Sequence, residues 1–331
     1  MPVPPRGRWA PSPTGELHVG NARTALAAWL SVRSRGGTLV WRTEDLDPPR
    51  VVPGMAEAIR ADLAWLGLDW DEGPDVGGPH APYVQSARGP LYEEALARLA
   101  AAGRLFPCRR SRRELETLAS APHGAEALPP YPAEFRPRDL PPGWYERLTR
   151  AERPGASDAA LRFLVHDRPV RFVDRVHGPV EERVDRTVGD FVLKRRDGLY
   201  AYQLAVVVDD LLMGIDEVVR GADLLASTAR QIQLIEALGG EVPVYAHVPL
   251  IVGEGGEKLS KRAAGLTLKS LREQGVRPEA LAGYLGFSLG LLDRPEPCRP
   301  ADLVPLFAWE RVGRAEWEVP GDWTLLLADR G

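Results

Sequence analysis

The chain reads as an α/β protein built on a doubly wound parallel sheet, and the alternation of its apolar patterns points to that architecture. Strand, helix and strand follow one another up to residue 47, and a further helical pattern runs over 54–69. After a proline- and charge-rich stretch at 104–190, the buried-strand pattern returns. Alternating strands and helices of this kind build a parallel sheet with helices on both faces.

The segment "RWAPSPTGELHVGN" (8–21) reads as a strand that stops at a Pro-Ser-Pro turn and restarts as a helix led by His18. Residues 22–33, rich in Ala and Leu, continue that helix, and "TLVWRTEDLD" (38–47) is a β-branched strand ending in acids. The first helix therefore opens at the carboxyl end of a strand, where such sheets bind ligands. "GMAEAIRADLAWLGLD" (54–69) carries apolar residues at helical spacing. Within 104–190, "YPAEFRPRDLPPGW" and the alternating run "LRFLVHDRPVRFVDRVHGPV" (161–180) predict an inserted α+β domain with antiparallel strands. "GDFVLKRRDGLYAYQLAVVVDD" is read as the returning buried strand, with Asp209 and Asp210 capping the next helix rather than binding metal. "STARQIQLIEALGG" is a helix with glycines at its end. The expected organisation is a first catalytic half at 1–103, the insertion at 104–190, a second half at 191–265 and a short helical segment at 266–331.

Composition sets the class. With 331 residues, 44% hydrophobic and 27% charged, the chain can build more than one real core. The net charge of -4 excludes a uniformly basic nucleic-acid binder but not a local phosphate site. Two cysteines, Cys108 and Cys298, are too few for a disulfide framework and suit a reducing compartment. The N-terminus lacks the apolar core of a signal peptide, and "LAVVVDDLLMGI" is interrupted by two acids, so the expectation is a cytoplasmic protein with no membrane role; a monomer is expected as well.

Two motifs carry chemistry. A helix N-terminus offers unpaired N–H groups and partial positive charge, so it attracts phosphate. His18 adds a hydrogen-bonding ring there, Asn21 lies on the same face, and Gly20 lets a base or ribose approach the backbone. "VGEGGEKLSKRAAG" (252–265) is a glycine-rich loop bearing Lys258, Lys261 and Arg262, ammonium and guanidinium groups suited to charge that develops on a phosphate. Taken singly, each motif is as easily a cap or a solvated basic turn.

Together and in this order, they resemble the HIGH and KMSKS signatures of class I aminoacyl-tRNA synthetases, with Asn21 for the second histidine, Leu259 for methionine and Arg262 for the final serine. "RTEDLDPPR" (42–50), "YQLAVVVDD" (202–210) and "VVRGADLL" (218–225) look like the glutamyl branch of that class, and the match spans about 6–265. The resemblance implies a Rossmann-type catalytic domain that activates L-glutamate with ATP and Mg²⁺. By the same analogy Glu44 holds the amino group, Arg8 with Tyr202 faces the side-chain carboxylate, Arg220 takes the other end, and Ser12 adds a hydrogen bond. Two carboxylates and one ammonium need that charge pattern. Gly221 and Asp223 look like the ribose contact, while His18, Gly20 and Lys261 serve ATP, with Lys261 matching the family's catalytic lysine and Lys258 beside it.

Only 69 residues follow Arg262, and they must also finish the catalytic body, so the expectation is that a conventional anticodon-binding domain does not fit there. That shortness, and the run "YQLAVVVDDLLMGIDEVVRGADLL" in particular, resemble paralogues of glutamyl-tRNA synthetase that need no tRNA for activation and esterify glutamate to queuosine in the anticodon loop of tRNA(Asp). A synthetase charging tRNA(Glu), or an inactive RNA-binding paralogue, is the alternative. The paralogues often carry a zinc site in the insertion. Here Cys108 and Tyr131 match its pattern, but Arg110 and Phe135 stand where thiolates should be, and His123 is the one nearby substitute, so the expectation is a metal-free insertion held by packing. Residues 101–153 hold ten arginines against seven acids, a weak footprint for RNA phosphates.

Overall fold

A computed structural model describes residues 3–110, 114, 130–151, 157–253, 256 and 267–320. Strands β1 (Arg6–Trp9) and β2 (Thr38–Trp41) pair in parallel, joined by α1 (Val19–Arg33). Helices α2 (Met55–Leu66) and α3 (Gly89–Ala101) follow. Next come β3 (Leu105–Cys108), α4 (Trp144–Ala151), β4 (Ala160–Phe163), β5 (Val170–Asp174), β6 (Gly178–Glu182), the single turn α5 (Val184–Thr187) and β7 (Phe191–Lys194). The chain then forms α6 (Tyr202–Leu212), β8 (Glu217–Gly221), α7 (Thr228–Ala237), β9 (Val244–Val248) and β10 (Ile251–Val252). It closes with α8 (Leu268–Glu273), α9 (Pro278–Ser288), α10 (Pro300–Leu303) and β11 (Trp317–Glu318).

The main sheet runs β2-β1-β8-β9-β5-β6, parallel except for the β5–β6 hairpin. Neighbouring residues on one strand feed opposite cores, as a sheet covered on both faces requires. Leu39, Val219 and Ala246 join α1, α2 and α9 on one side, whereas Val40, Val218 and Tyr245 join α3, α6 and α7 on the other. Helix α1 lies so close to β1 that a Cβ on Gly7 would sit 2.6 Å from Val32. The segment after residue 266 completes the first core through Leu281, Leu285, Leu303 and Val312, and β11 pairs with β10. No described helix is long and apolar enough to cross a membrane.

Two sequence expectations are corrected. The run read as a returning strand through Asp210 is helix α6, and only its first residues, β7, are extended. A continuous apolar run suits a helix buried on several sides as well as a strand, so its periodicity does not discriminate. Asp209 and Asp210 lie in the last turns of α6, where a carboxylate is opposed by the helix dipole, and arginines from other elements neutralise them. They cap nothing.

The alternating strands of 161–180 also divide between two sheets. β4 pairs with β3 and β7 in a separate antiparallel sheet, whereas β5 and β6 extend the main sheet through the Asp174–Tyr245 pairing with β9.

Candidate active site

Strand β1 has β2 on one side and β8 on the other, so the chain's connections diverge at the carboxyl ends of β1 and β8. That is the position at which doubly wound sheets leave a crevice. A cleft of about 750 Å³ opens there. Arg8 enters it from β1, Arg220 and Gly221 from β8, Glu44 from just beyond β2, and Tyr202 from the first turn of α6. The Pro-Ser-Pro turn contributes Ser12, the start of α1 contributes His18, Gly20 and Asn21, and Asp223 follows β8. Every predicted site residue that lies among the described residues is in this one cleft. Lys258 and Lys261, with Leu259, Arg262 and His123, lie outside the described residues.

His18 has extended backbone and stands at the N-cap of α1 with no side-chain capping bond. Its ring is therefore left for another partner, and among the described residues the buried Nδ1 has none. The other side of the lysine loop is tied to the same turn. His18 bridges Thr267, the Leu268 N–H donates to the Leu17 carbonyl at 2.9 Å, and Thr267 and Lys269 donate to Glu16 at 2.9 and 3.2 Å. Those two donors hold the Glu16 carboxyl below its ordinary range. Both residues flanking the loop, Ile251 at the cleft wall and Thr267 against His18, thus lie at the phosphate-attracting end of α1.

At the other end the electrostatics are set by two buried clusters. In the first, Arg42 donates to Asp210 at 2.7 Å and to Glu44 at 3.0 Å and lies 3.6 Å from Asp209. Arg88 donates to Asp209 at 2.6 Å, and Arg8 reaches Asp210 at 3.5 Å. Three guanidinium groups therefore face three carboxylates. Burial opposes the charge on Arg42, but Asp210, Glu44 and Asp209 outweigh it and raise its pKa further. Glu44 moves the other way: burial raises its pKa despite Arg42 and Arg8, so its ionised form gains from any further cation in the cleft.

The second cluster surrounds Arg220, which is 4% exposed. Its Nε donates to His247 Nε2 at 3.0 Å, Nη1 to Gln231 at 2.7 Å and Nη2 to Thr228 at 2.9 Å. None of these acceptors is a carboxylate, and among the described residues two of its five N–H donors are left over. Tyr202, by contrast, is 36% exposed. Among the described residues the cleft thus presents a guanidinium with no carboxylate partner, a second one only loosely paired, a carboxylate poorly solvated for its charge, and a helix N-terminus. It can hold a zwitterion with an extra carboxylate beside a phosphorylated group.

A family model for tRNA synthetases class I (E and Q), catalytic domain, matches residues 5–293. The chain belongs to that family. It is 49% identical over 321 residues to a glutamyl-Q tRNA(Asp) synthetase of Symbiobacterium thermophilum, covering 96% of both chains. It is 45% identical over 317 residues to the protein of that name from Nitratidesulfovibrio vulgaris, again covering 96% of each. A crystal structure of a glutamate tRNA ligase from Elizabethkingia meningosepticum in complex with its amino acid superposes with a TM-score of 0.84 at 31% identity, covering 97% of this chain and 68% of that one. The Rossmann-type α/β catalytic domain is therefore that of the family, and the matched residues span both motifs read in the sequence.

Sequence reasoning missed Arg42, Asp174, His247 and Gln231, all buried behind the cleft. The available signal was a lone polar residue inside an apolar strand, as in "VYAHVPL", because a buried polar group must find a partner. In the insertion, Cys108 Sγ lies 3.5 Å from Tyr131 Oη, and the Arg110 guanidinium stacks 4.0 Å from the centre of the Phe135 ring. One thiol, one phenol and a cation do not make a zinc donor set. Among the described residues no group of three or more His, Cys, Asp or Glu could hold a metal ion. A smaller concavity of about 410 Å³ beside α4 contains none of the motif residues.

Proposed function

We infer that the protein is a glutamyl-Q tRNA(Asp) synthetase: it activates L-glutamate with ATP and transfers it to queuosine in the anticodon loop of tRNA(Asp). The observation that carries this reading is 49% identity across 96% of both this chain and a relative of that name. The cleft's chemistry supports it from the other direction. Glu44 takes the substrate ammonium, Arg8 with Tyr202 the side-chain carboxylate, Arg220 the other carboxylate, and Ser12 a further hydrogen bond.

The α-carboxylate attacks the ATP α-phosphorus in line, a bond to the bridging oxygen breaks, and pyrophosphate leaves with glutamyl-adenylate left in the cleft. A queuosine hydroxyl then attacks the acyl carbon and AMP departs. No protein nucleophile is needed, so positioning and charge carry the step. His18, Gly20 and Asn21 receive ATP at the α1 N-terminus, Gly221 and Asp223 the ribose, and Lys258 and Lys261 the phosphates. Mg²⁺ would be held chiefly by the ATP phosphates and would offset their charge there. The insertion keeps its shape without zinc through the Cys108–Tyr131 contact and the Arg110–Phe135 stack. A monomer in the cytoplasm suits these substrates.

The test offers ATP, Mg²⁺ and labelled glutamate with queuosine-bearing tRNA(Asp), with tRNA(Asp) carrying guanine, and with tRNA(Glu). Label on the queuosine-bearing tRNA alone is expected. Label on the 3′ end of tRNA(Glu) makes it a charging synthetase, and no label anywhere makes it an RNA-binding paralogue.

A further inference from the structure

We propose that Asp174 and His247 are positioning residues that hold Arg220 in its substrate-binding orientation by fixing the proton on His247 Nδ1. The inference rests on the reading above, in which Arg220 meets a glutamate carboxylate.

Arg220 and His247 are directly paired neighbours on the parallel strands β8 and β9. Arg220 Nε carries a hydrogen and must donate, so the His247 Nε2 atom 3.0 Å away must accept. An acceptor at Nε2 places the imidazole proton on Nδ1. There Asp174 Oδ2 lies 2.7 Å away and takes it. Asp174 is held in turn at the end of β5: its other oxygen accepts from the backbone N–H groups of Val176 and His177, each at 2.9 Å. Asp174 is 1% exposed and His247 0%, so water supplies no alternative partner.

The pair solves a specific problem. Placing Asp174 directly against Arg220 would neutralise the charge that the substrate carboxylate needs. A neutral imidazole between them orients the guanidinium and leaves its charge available. Gln231, oriented by donating to Gln203 at 2.8 Å, fixes Nη1 in the same way.

The arrangement fails if His247 gains a second proton, because Nε2–H would then point at Nε–H. The groups facing the imidazole are Asp174 from β5, His177 from the β5–β6 turn, Tyr245 stacked at 6.1 Å from its own strand, and Arg220 from β8; α7 presents neutral Thr228. Of these only Asp174 favours protonation, against burial, Arg220 and His177.

The experiment measures glutamate and ATP dependence of ATP–pyrophosphate exchange in wild type, His247→Gln, His247→Leu and Asp174→Asn, each checked for folding by thermal melting. His247→Leu removes the acceptor and should raise the KM for glutamate about tenfold or more with the KM for ATP nearly unchanged. His247→Gln, whose amide oxygen can accept at the same reach, should restore most of the loss. Asp174→Asn, able to donate to Nδ1 and shift the proton to Nε2, should resemble His247→Leu. Toward acid pH the wild-type KM for glutamate should rise, with His247→Gln flat. An unchanged glutamate KM in folded His247→Leu, or equal rises for both substrates, overturns the proposal. If wild type shows no exchange, the functional reading fails instead, and the ¹⁵N spectrum of the imidazoles decides the positioning claim: Nδ1–H at His247 upholds it and Nε2–H overturns it.

Discussion

Asp209 has no exposed side-chain surface, yet it anchors the Arg42 and Arg88 guanidinium groups behind the Glu44 end of the cleft. It accepts from Arg88 Nε at 2.6 Å, from Gln85 at 2.8 Å and from the Tyr92 hydroxyl at 3.0 Å, and it lies 3.6 Å from Arg42. Burial and this carboxylate push the Tyr92 phenol up, so it remains a donor. Asp209→Ala leaves two buried guanidinium groups short of a partner, and removing one side of a buried pair costs about 3–5 kcal/mol. At about 2 °C per kcal/mol for a chain of this size, the melting temperature should fall by roughly 6–10 °C. Asp209→Asn keeps the size and one acceptor but turns the other oxygen into an NH₂ that faces donors, so it should also destabilise, by about 1.5–3 kcal/mol or more. Arg42 also orients Glu44, so the alanine variant should weaken glutamate use in pyrophosphate exchange more than ATP use. Melting of Asp209→Ala within about 2 °C of wild type would refute the idea that these charges support one another.

Other outcomes follow from the same geometry. Glu44→Gln removes a carboxylate that burial disfavours, while Arg42 keeps Asp209 and Asp210. Stability should therefore change by less than about 1 kcal/mol while glutamate-dependent exchange drops roughly 10- to 150-fold, and melting plus kinetics separates the two effects. Gly221→Ala would bring a Cβ to 2.6 Å from Asp223 Oδ1 with an ordinary backbone angle, so the KM for ATP should rise several-fold with glutamate affinity little changed. Acid should destabilise the protein in two steps. Burial lowers the His247 pKa despite Asp174, so below its ordinary 6.5 the unfolded chain takes up a proton that the fold refuses. Although burial alone would raise it, Asp174 is depressed by His247 and by backbone N–H groups, so its contribution disappears below its ordinary 3.8 as pH falls through the folded value. Melting from pH 8 to pH 3 should show the first step in wild type and lack it in His247→Gln; identical profiles would contradict the assignment.

How much was legible in the sequence depended on how far apart the interacting residues lie. His18, Gly20 and Asn21 share one helical turn, and Arg220, Gly221 and Asp223 share one strand end, so a short window contained each motif whole. The strand-helix alternation likewise announced the sheet, because apolar periodicity is set by backbone geometry within an element. Helix α6 escaped because a run buried on several sides has no polar face to mark its period.

Sequence alone therefore determined the family, the fold class and the residue types that line the cleft. It left open which charges those residues keep. Arg8 and Arg220 look alike in the chain. The tertiary structure sets one 3.5 Å from Asp210, which lies 202 positions away, and surrounds the other with neutral acceptors, including His247 27 positions away. Asp174 reaches His247 across 73 positions. Electrostatic interactions depend on distance and burial in space, and only the folded sheet brings these groups together away from water.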